Sequence, residues 1–228
     1  MPSTAGADRQ EDFALCPAAQ SDLAGLLVQK KSRVAKERNS EKRAVFLEAV
    51  AKADPDKLVF LDLDEVGFSL ALYLLYGWAF RKERLVESVP LNRGKNQSVL
   101  GAFGAEGMVA TMSKIGAMKR ADVEQFLEFD LLPLLPEGSV LVLDNARIHH
   151  GGRIEEIVAK SGCSLLYLSP YSPDFSPIEL AWSWIKQFVR RLCPRDGEAR
   201  QEAVENALAT LPKGFTKACF AKCGYALN

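Results

Sequence analysis

Three acidic residues stand where carboxylates could act together. Asp64 follows the apolar run LVFLDL and Asp144 follows SVLVL, so each is expected at the carboxyl end of a buried strand, where α/β sheets open their ligand crevice. Glu179 is expected in the first turn of an amphipathic helix. Because a lone buried carboxylate is costly, all three positions call for a partner.

Converging carboxylates repel one another and favour a divalent cation between them. All-oxygen ligands suit Mg²⁺ or Mn²⁺ rather than zinc. Two such ions, roughly 3.5–4 Å apart, can activate a water or a DNA 3′-hydroxyl and stabilise the leaving oxygen of a phosphodiester. We therefore expect a site for Mg²⁺, with Mn²⁺ able to substitute, that holds two ions.

Each acidic residue also has a simpler interpretation. Asp144-Asn145 after a strand is a good turn former, and Asp64 could be a turn residue before Gly67. Ser176, Pro177 and Glu179 have the spacing of a helix capping box, with Ser176 as the N-cap. Only the conjunction of the three positions favours catalysis.

The elements around these residues predict one mixed sheet. The first half of the domain consists of apolar runs with short turns, which predicts an antiparallel meander. A helix from Ser40, its possible N-cap, should precede that meander and extend to Ala53. The predicted strands of the meander are 57–63, 68–80, 84–89, 97–103 and 108–115.

The second half alternates helices and strands. A helical pattern runs from Arg120 until Pro136 and Gly138 stop it. The expected elements that follow are strand 139–143, helix 153–161, strand 164–168, an amphipathic helix from Ile178 and a last helix over 198–210. This order predicts an α/β fold of the ribonuclease-H-like class, a mixed sheet with helices on both faces.

Composition and charge exclude some classes of protein. The 228 residues carry 29 basic and 29 acidic side chains, so the net charge does not by itself indicate a nucleic-acid partner. No apolar run approaches the roughly 20 residues of a membrane span, and no secretory signal is evident, so a cytoplasmic protein without a membrane partner is expected. Five scattered cysteines argue against a disulfide framework.

Basic residues are concentrated in one short segment of the chain. They could contact DNA phosphates, or they could form the solvated face of a helix, since Glu37 and Glu41 are interleaved among them. The two interpretations stay open. The residues of this segment are Lys30, Lys31, Arg33, Lys36, Arg38, Lys42 and Arg43.

Three blocks of the sequence resemble, in order, those of the DDE transposases of the Tc/mariner superfamily, and most closely the bacterial insertion-sequence branch. The blocks are LVFLDLDEVGF, LVLDNARIHH and YLSPYSPDFSPIELAWSWIK. Between Asp144 and Glu179 lie 34 residues, the spacing that this branch favours. YGWAFRK at 76–82 and CGY at 223–225 also resemble family landmarks.

The resemblance implies metal-dependent DNA cleavage at transposon ends, followed by attack of the 3′-hydroxyls on target DNA. It assigns Asp64, Asp144 and Glu179 as catalytic, metal-binding residues. The residues implied to support them are Asp62, Asn145 and His149. The residues implied to contact DNA are Lys30, Lys31, Arg33, Lys36, Lys186 and Arg190.

Some features depart from the family pattern. Asp62 and Asp64 share a strand face by alternation, so Asp62 is a second choice for the first ligand. Ser176 replaces the usual Asn. The helix-turn-helix domains of full-length relatives are not found, which suggests a separate subunit or a frameshift product. A homo-oligomer on DNA and association with the bacterial nucleoid are also expected. The predicted parts are a disordered leader 1–27, a basic linker and helix 28–56, the catalytic domain 57–192 and a C-terminal helix and tail 193–228.

Parts of the sequence are also compatible with two other functions. Asp62 and Asp64 after an apolar strand also resemble the nucleophile motif of haloacid-dehalogenase-type phosphatases. That class needs a later strand-end Gly-Asp motif, which is not evident, and it leaves the block around Glu179 unexplained. Alternatively, the chain could be a non-catalytic transposase fragment that acts through protein interaction.

Overall fold

In the computed structural model, the backbone is described for residues 35–69, 78–86, 88, 94–145, 149–150, 152–212 and 214–227, and for 63–67 it is described without the side chains. The predicted leader 1–27 and the basic residues Lys30, Lys31 and Arg33 lie outside the described residues. All the elements below belong to one compact unit, Glu37–Asn228.

A five-stranded mixed sheet is the centre of the fold, as the sequence predicts. Its strands stand in the order β3-β2-β1-β4-β5. The first three form an antiparallel meander, whereas β1, β4 and β5 run parallel. The strands are β1 (Leu58–Phe68), β2 (Gln97–Gly104), β3 (Gly107–Ile115), β4 (Val140–Leu143) and β5 (Ser164–Tyr167).

Helices cover both faces of this sheet. They are α1 (Ser40–Val50), α2 (Arg120–Gln125), α3 (Ile154–Lys160), α4 (Pro177–Leu192), α5 (Gly197–Ala209) and α6 (Phe215–Lys222). Because successive strand residues face opposite ways, Phe60 enters a core with α1, α4, α5 and α6, whereas Leu61 enters a second core with α2 and α3. The prediction of helices on both faces is confirmed.

Helix α4 fixes the relation between the sheet and the helical layer beneath it. Its apolar residues recur at helical spacing, and Ile178, Trp182 and Ile185 are buried. Gly101 of β2 leaves room for the indole of Trp182: a Cβ at that position would lie 2.8 Å from Trp182 Cη2 and Cζ2. Since α4 also carries Glu179, this contact sets the distance of Glu179 from the sheet.

The meander differs from its prediction in the first strands. Phe68 belongs to β1, which continues beside β2 to the pair Phe68 and Gln97, and does not begin a second strand. Of the described residues of predicted strands 68–80 and 84–89, only Phe68 lies in a strand, and Ser69, 78–80, 84–86 and Ser88 do not. Trp78 and Phe80 are fully or mostly exposed, so apolar composition alone was misleading: a strand also needs a partner edge.

Two helical predictions also need correction, and one helix was not predicted. The helix from Arg120 is α-helical only to Gln125, continues as a π-helix to Leu131 and ends in a 3₁₀ turn that contains Pro133, which cannot donate an α-helical bond. Asn39, not Ser40, is the N-cap of α1, and its side chain accepts from the Lys42 amide. Helix α6 was missed, because eight residues show little apolar periodicity.

No helix in the described ranges is long and apolar enough to cross a membrane.

Substitution of Gly101 by alanine should destabilise the fold by about 1–3 kcal/mol, because the new methyl group overpacks the buried Trp182 indole. The matched control is Gly214→Ala, where a Cβ meets nothing within 4 Å and the effect should stay within about 0.5 kcal/mol. Urea unfolding measures both. Equal stability of the two variants would contradict the tight packing of α4 on β2.

Candidate active site

Two aspartates are brought side by side by the parallel pairing of β1 with β4. Leu61 pairs with Leu143 in that ladder, and the next residue on each strand is an aspartate, Asp62 or Asp144. Neighbouring strands are about 4.8 Å apart, so the two carboxylates lie on adjacent strands at the same level of the sheet. Asp62 is 9% exposed, whereas the Asp144 side chain is 39% exposed.

The backbone of Asp64 lies in β1, opposite Val99 of β2. The aspartates of β1 are therefore inside a longer strand than predicted, rather than at its end. β1 extends beyond Leu61, which pairs with the last residue of β4, Leu143. After Leu61, β2 is the one strand of the described sheet that lies beside β1.

Glu179 comes from the helical layer that packs on the sheet, in the first turn of α4. Ser176 occupies the N-cap and Pro177 the first helical position, as predicted. The predicted capping box is wrong in one respect, because the Ser176 side chain makes no capping hydrogen bond. The backbone amide of Glu179 donates instead to the Ser176 carbonyl at 3.2 Å.

The three carboxylates Asp62, Asp144 and Glu179 line one open cavity of about 510 Å³. Its described lining also includes Asn145 and the segment 168–173, and contains no Lys or Arg. The donor set is therefore oxygen-rich and acidic, which fits a hard divalent cation. Among the side chains that the structure describes, which do not include that of Asp64, no group of three His, Cys, Asp or Glu could hold an ion as it stands.

His149 supports Asp144 directly. Its Nδ1 lies 2.5 Å from Asp144 Oδ1, and because an ionised carboxylate only accepts, the imidazole donates this hydrogen bond. The ring is fully buried, and its backbone carbonyl accepts from the Tyr167 hydroxyl at 2.9 Å. The histidine thus ties Asp144 to β5.

Asn145 is held in a second set of contacts. Its amide donates to the Leu168 carbonyl, and its side-chain oxygen lies 2.9 Å from His150 Nε2. The His150 ring stacks on Tyr167, with 4.3 Å between the centroids. Together these contacts fix the chain on either side of the segment 146–148.

The basic segment divides into two groups. Lys36 is exposed, whereas Arg38 and Arg43 both pair with Asp174 at 2.8 Å, just before α4. These two arginines therefore make a contact within the protein that neither interpretation of the basic segment included.

Lys186 and Arg190 are half-buried on α4. They follow Glu179 by seven and eleven residues, which places them on the same helix face at roughly 10 and 16 Å along the axis. This line of charges leads away from the acidic cavity.

Two residues important for the site were not found from sequence. Asp174 holds the loop before α4, and the Tyr225 hydroxyl donates to the Phe175 carbonyl at 2.7 Å. The resemblance had already marked the third block and the closing CGY. Their contacts span 131 and 50 residues, a separation that no local pattern indicates.

A profile of the DDE superfamily endonuclease family matches residues 57–198, more than half of the chain. The chain belongs to the DDE superfamily of endonucleases. The prediction of a DDE-type enzyme is thereby confirmed, and the phosphatase alternative is not favoured. No curated protein matches the chain.

Solved transposase structures share the fold. The Mos1 transposase paired-end complex with left transposon end matches at a TM-score of 0.65 and 16% identity, over 90% of this chain and 69% of that one. The Mos1 mariner paired end complex with Mn gives 0.63 and 14%, over 88% and 64%. The catalytic domain of Mos1 mariner transposase gives 0.57 and 13%, over 86% and 92%. These likenesses confirm the predicted ribonuclease-H-like fold, while the bacterial insertion-sequence branch stays a prediction.

Asp174 should make stability depend on pH. The hydrogen bond from Arg43, with the charges of Arg43 and Arg38, holds the pKa of Asp174 below its usual range. Its contribution is therefore complete above the pKa of a free aspartate and is lost as pH falls through the lowered value. Because its side chain is 49% exposed, the loss should not exceed about 1 kcal/mol.

Urea unfolding from about pH 5 to about pH 2 tests this, with the wild type losing more stability than Asp174→Asn over that range. Parallel pH profiles for the two proteins would show that the ion pair contributes nothing.

Proposed function

We propose that this chain is the catalytic domain of a DDE transposase, which cleaves DNA at transposon ends and joins the 3′-hydroxyl ends to target DNA. One observation carries the proposal: Asp62, Asp144 and Glu179, from two strands and one helix, line a single acidic cavity. The family match supports endonuclease chemistry there, and the chain spans 69% and 64% of the Mos1 chains in the two complexes named above.

The residues that would hold the metal are Asp144, Glu179 and an aspartate of β1. We assign Asp64 as that third ligand, with Asp62, two residues earlier in β1, in support. Mg²⁺ is the proposed cofactor, with Mn²⁺ as a substitute and two ions in the site, and the catalytic domain of Mos1 has been solved with either metal. When bound, the ions would supply Lewis-acid activation of a water or 3′-hydroxyl and neutralise the leaving oxygen.

The protein's own contribution is position and charge. His149 orients the Asp144 carboxylate through its 2.5 Å contact, which restricts the rotation of one ligand before any ion arrives. Asn145, tied to Leu168 and His150, presents a fixed polar edge to the same cavity. The cavity is open to solvent, which suits a polymer substrate because a long chain cannot enter an enclosed pocket through its end.

DNA is the proposed partner. Lys186 and Arg190 continue the face of α4 that bears Glu179, so a phosphate backbone seated at the cavity could follow that helix. Lys30, Lys31, Arg33 and Lys36 are also proposed to contact DNA. A homo-oligomer on DNA, a separate helix-turn-helix subunit and action at the bacterial nucleoid are proposed with it.

The first test is nicking of supercoiled plasmid by the purified full chain with Mn²⁺. Asp144→Asn and Glu179→Gln should each lower the rate by about 10²- to 10³-fold, because each removes a charge placed for the transition state. Glu106→Gln is the control: it alters an exposed carboxylate in the β2–β3 turn, at the other end of the sheet. Metal-independent nicking, or folded variants that nick as the wild type does, would leave the non-catalytic fragment as the better account.

The second test separates the two aspartates of β1. Asp64→Asn should abolish nicking, whereas Asp62→Asn should retain a measurable fraction of the rate, since its carboxylate supports rather than binds. The opposite ranking, with Asp62 essential and Asp64 dispensable, would move the ligand assignment to Asp62.

A further inference from the structure

The loop before α4 lacks the local device that usually orients a helix start. Ser176 makes no side-chain cap, and a 3₁₀ turn, Pro173–Phe175, leads directly into the helix. The first turn of α4 nevertheless carries Glu179. The loop must therefore be oriented by contacts from elsewhere in the chain.

Tyr225 supplies one of these contacts. Its hydroxyl donates to the Phe175 carbonyl at 2.7 Å, and both residues are buried. The same ring packs against Phe60 of β1, with 5.2 Å between the centroids. Burial raises the pKa of Tyr225, so the hydroxyl keeps the proton that it donates. One side chain thus joins the strand of the aspartates to the loop that leads to Glu179.

Arg43 of α1 holds the other side of the loop. Its two terminal nitrogens donate to the two Asp174 oxygens at 3.0 and 2.8 Å, and its guanidinium lies 3.7 Å from the centroid of the Phe175 ring. Phe46 stacks on the same ring at 5.6 Å. A bidentate pair combined with ring stacking fixes direction as well as distance.

We infer that Tyr225 and Arg43 are positioning residues, which set the distance between Glu179 and the β1 aspartates and so tune divalent-cation affinity. The inference rests on the proposed function, because it takes Glu179 as a metal ligand. Phe175 is only four residues before Glu179, so a shift of its carbonyl moves the start of α4. Removing contacts that orient metal ligands typically lowers metal affinity or activity.

Tyr225→Phe is the most selective test, since it removes the hydroxyl and keeps the packed ring. Mn²⁺ binding to the full chain, measured without DNA from the electron paramagnetic resonance signal of free Mn²⁺, should weaken by about three- to tenfold. Nicking should need a similarly higher Mn²⁺ concentration for half-maximal rate, while the rate at saturating Mn²⁺ stays within about twofold of the wild type.

Ser139→Ala is the matched control, because it also removes a buried hydroxyl that donates to a carbonyl, here Pro136 at 2.7 Å, away from the loop. It should lose comparable stability and leave Mn²⁺ affinity unchanged. The inference is overturned if Tyr225→Phe leaves the affinity unchanged, shifts it no more than Ser139→Ala does, or lowers the nicking rate in a way that excess Mn²⁺ does not restore.

Arg43→Gln gives an independent second variant and should also weaken Mn²⁺ binding. Its control, Asp122→Asn, breaks a surface ion pair of 2.8 Å with Lys114 and should not. Unchanged affinity in Arg43→Gln overturns the role of Arg43. Glu179→Gln, measured alongside, separates the two levels: wild-type binding and nicking in that variant end the proposed function itself, whereas loss there with an unaffected Tyr225→Phe ends only the positioning role.

Discussion

The parallel pairing of β1 with β4 is the constraint on which the rest of the site depends. The pair Leu61 and Leu143 sets the register, and the next residue on each strand is acidic. A slip of one residue would turn Asp62 or Asp144 into the opposite core, where a lone carboxylate could not stay charged. The two apolar cores on either face of the sheet therefore fix the register that brings two like charges together.

The third carboxylate depends on a different kind of support. Glu179 lies on α4, whose height above the sheet follows from the indole of Trp182 against Gly101. Its direction follows from the loop that Arg43 and Tyr225 hold from opposite ends of the chain. Acidic residues that repel one another are kept close by packing and hydrogen bonds around them, a common condition for preorganised ion sites.

The sequence predicts those parts of the fold in which the spacing of apolar residues matches the residues that are buried. SVLVL before Asp144 and the apolar face of α4 predict their elements correctly. Asp144 directly follows its strand as predicted, whereas the aspartates of β1 lie inside theirs. Trp78 and Phe80 mislead, because apolar residues indicate burial only when a partner surface exists. The contacts that hold the loop before α4 could not be predicted from the sequence, since Tyr225 and Phe175 are 50 residues apart. Such contacts follow from tertiary packing, not from spacing.

The central claim is that two strands and one helix place carboxylates around a shared divalent cation. Crystals of the full chain soaked in Mn²⁺ and measured at the manganese absorption edge test it most directly. The account predicts anomalous peaks in the acidic cavity, roughly 2–2.6 Å from oxygens of Asp144, Glu179 and a β1 aspartate. An empty cavity in crystals that bind manganese elsewhere, or a peak that Glu179 does not touch, would contradict it.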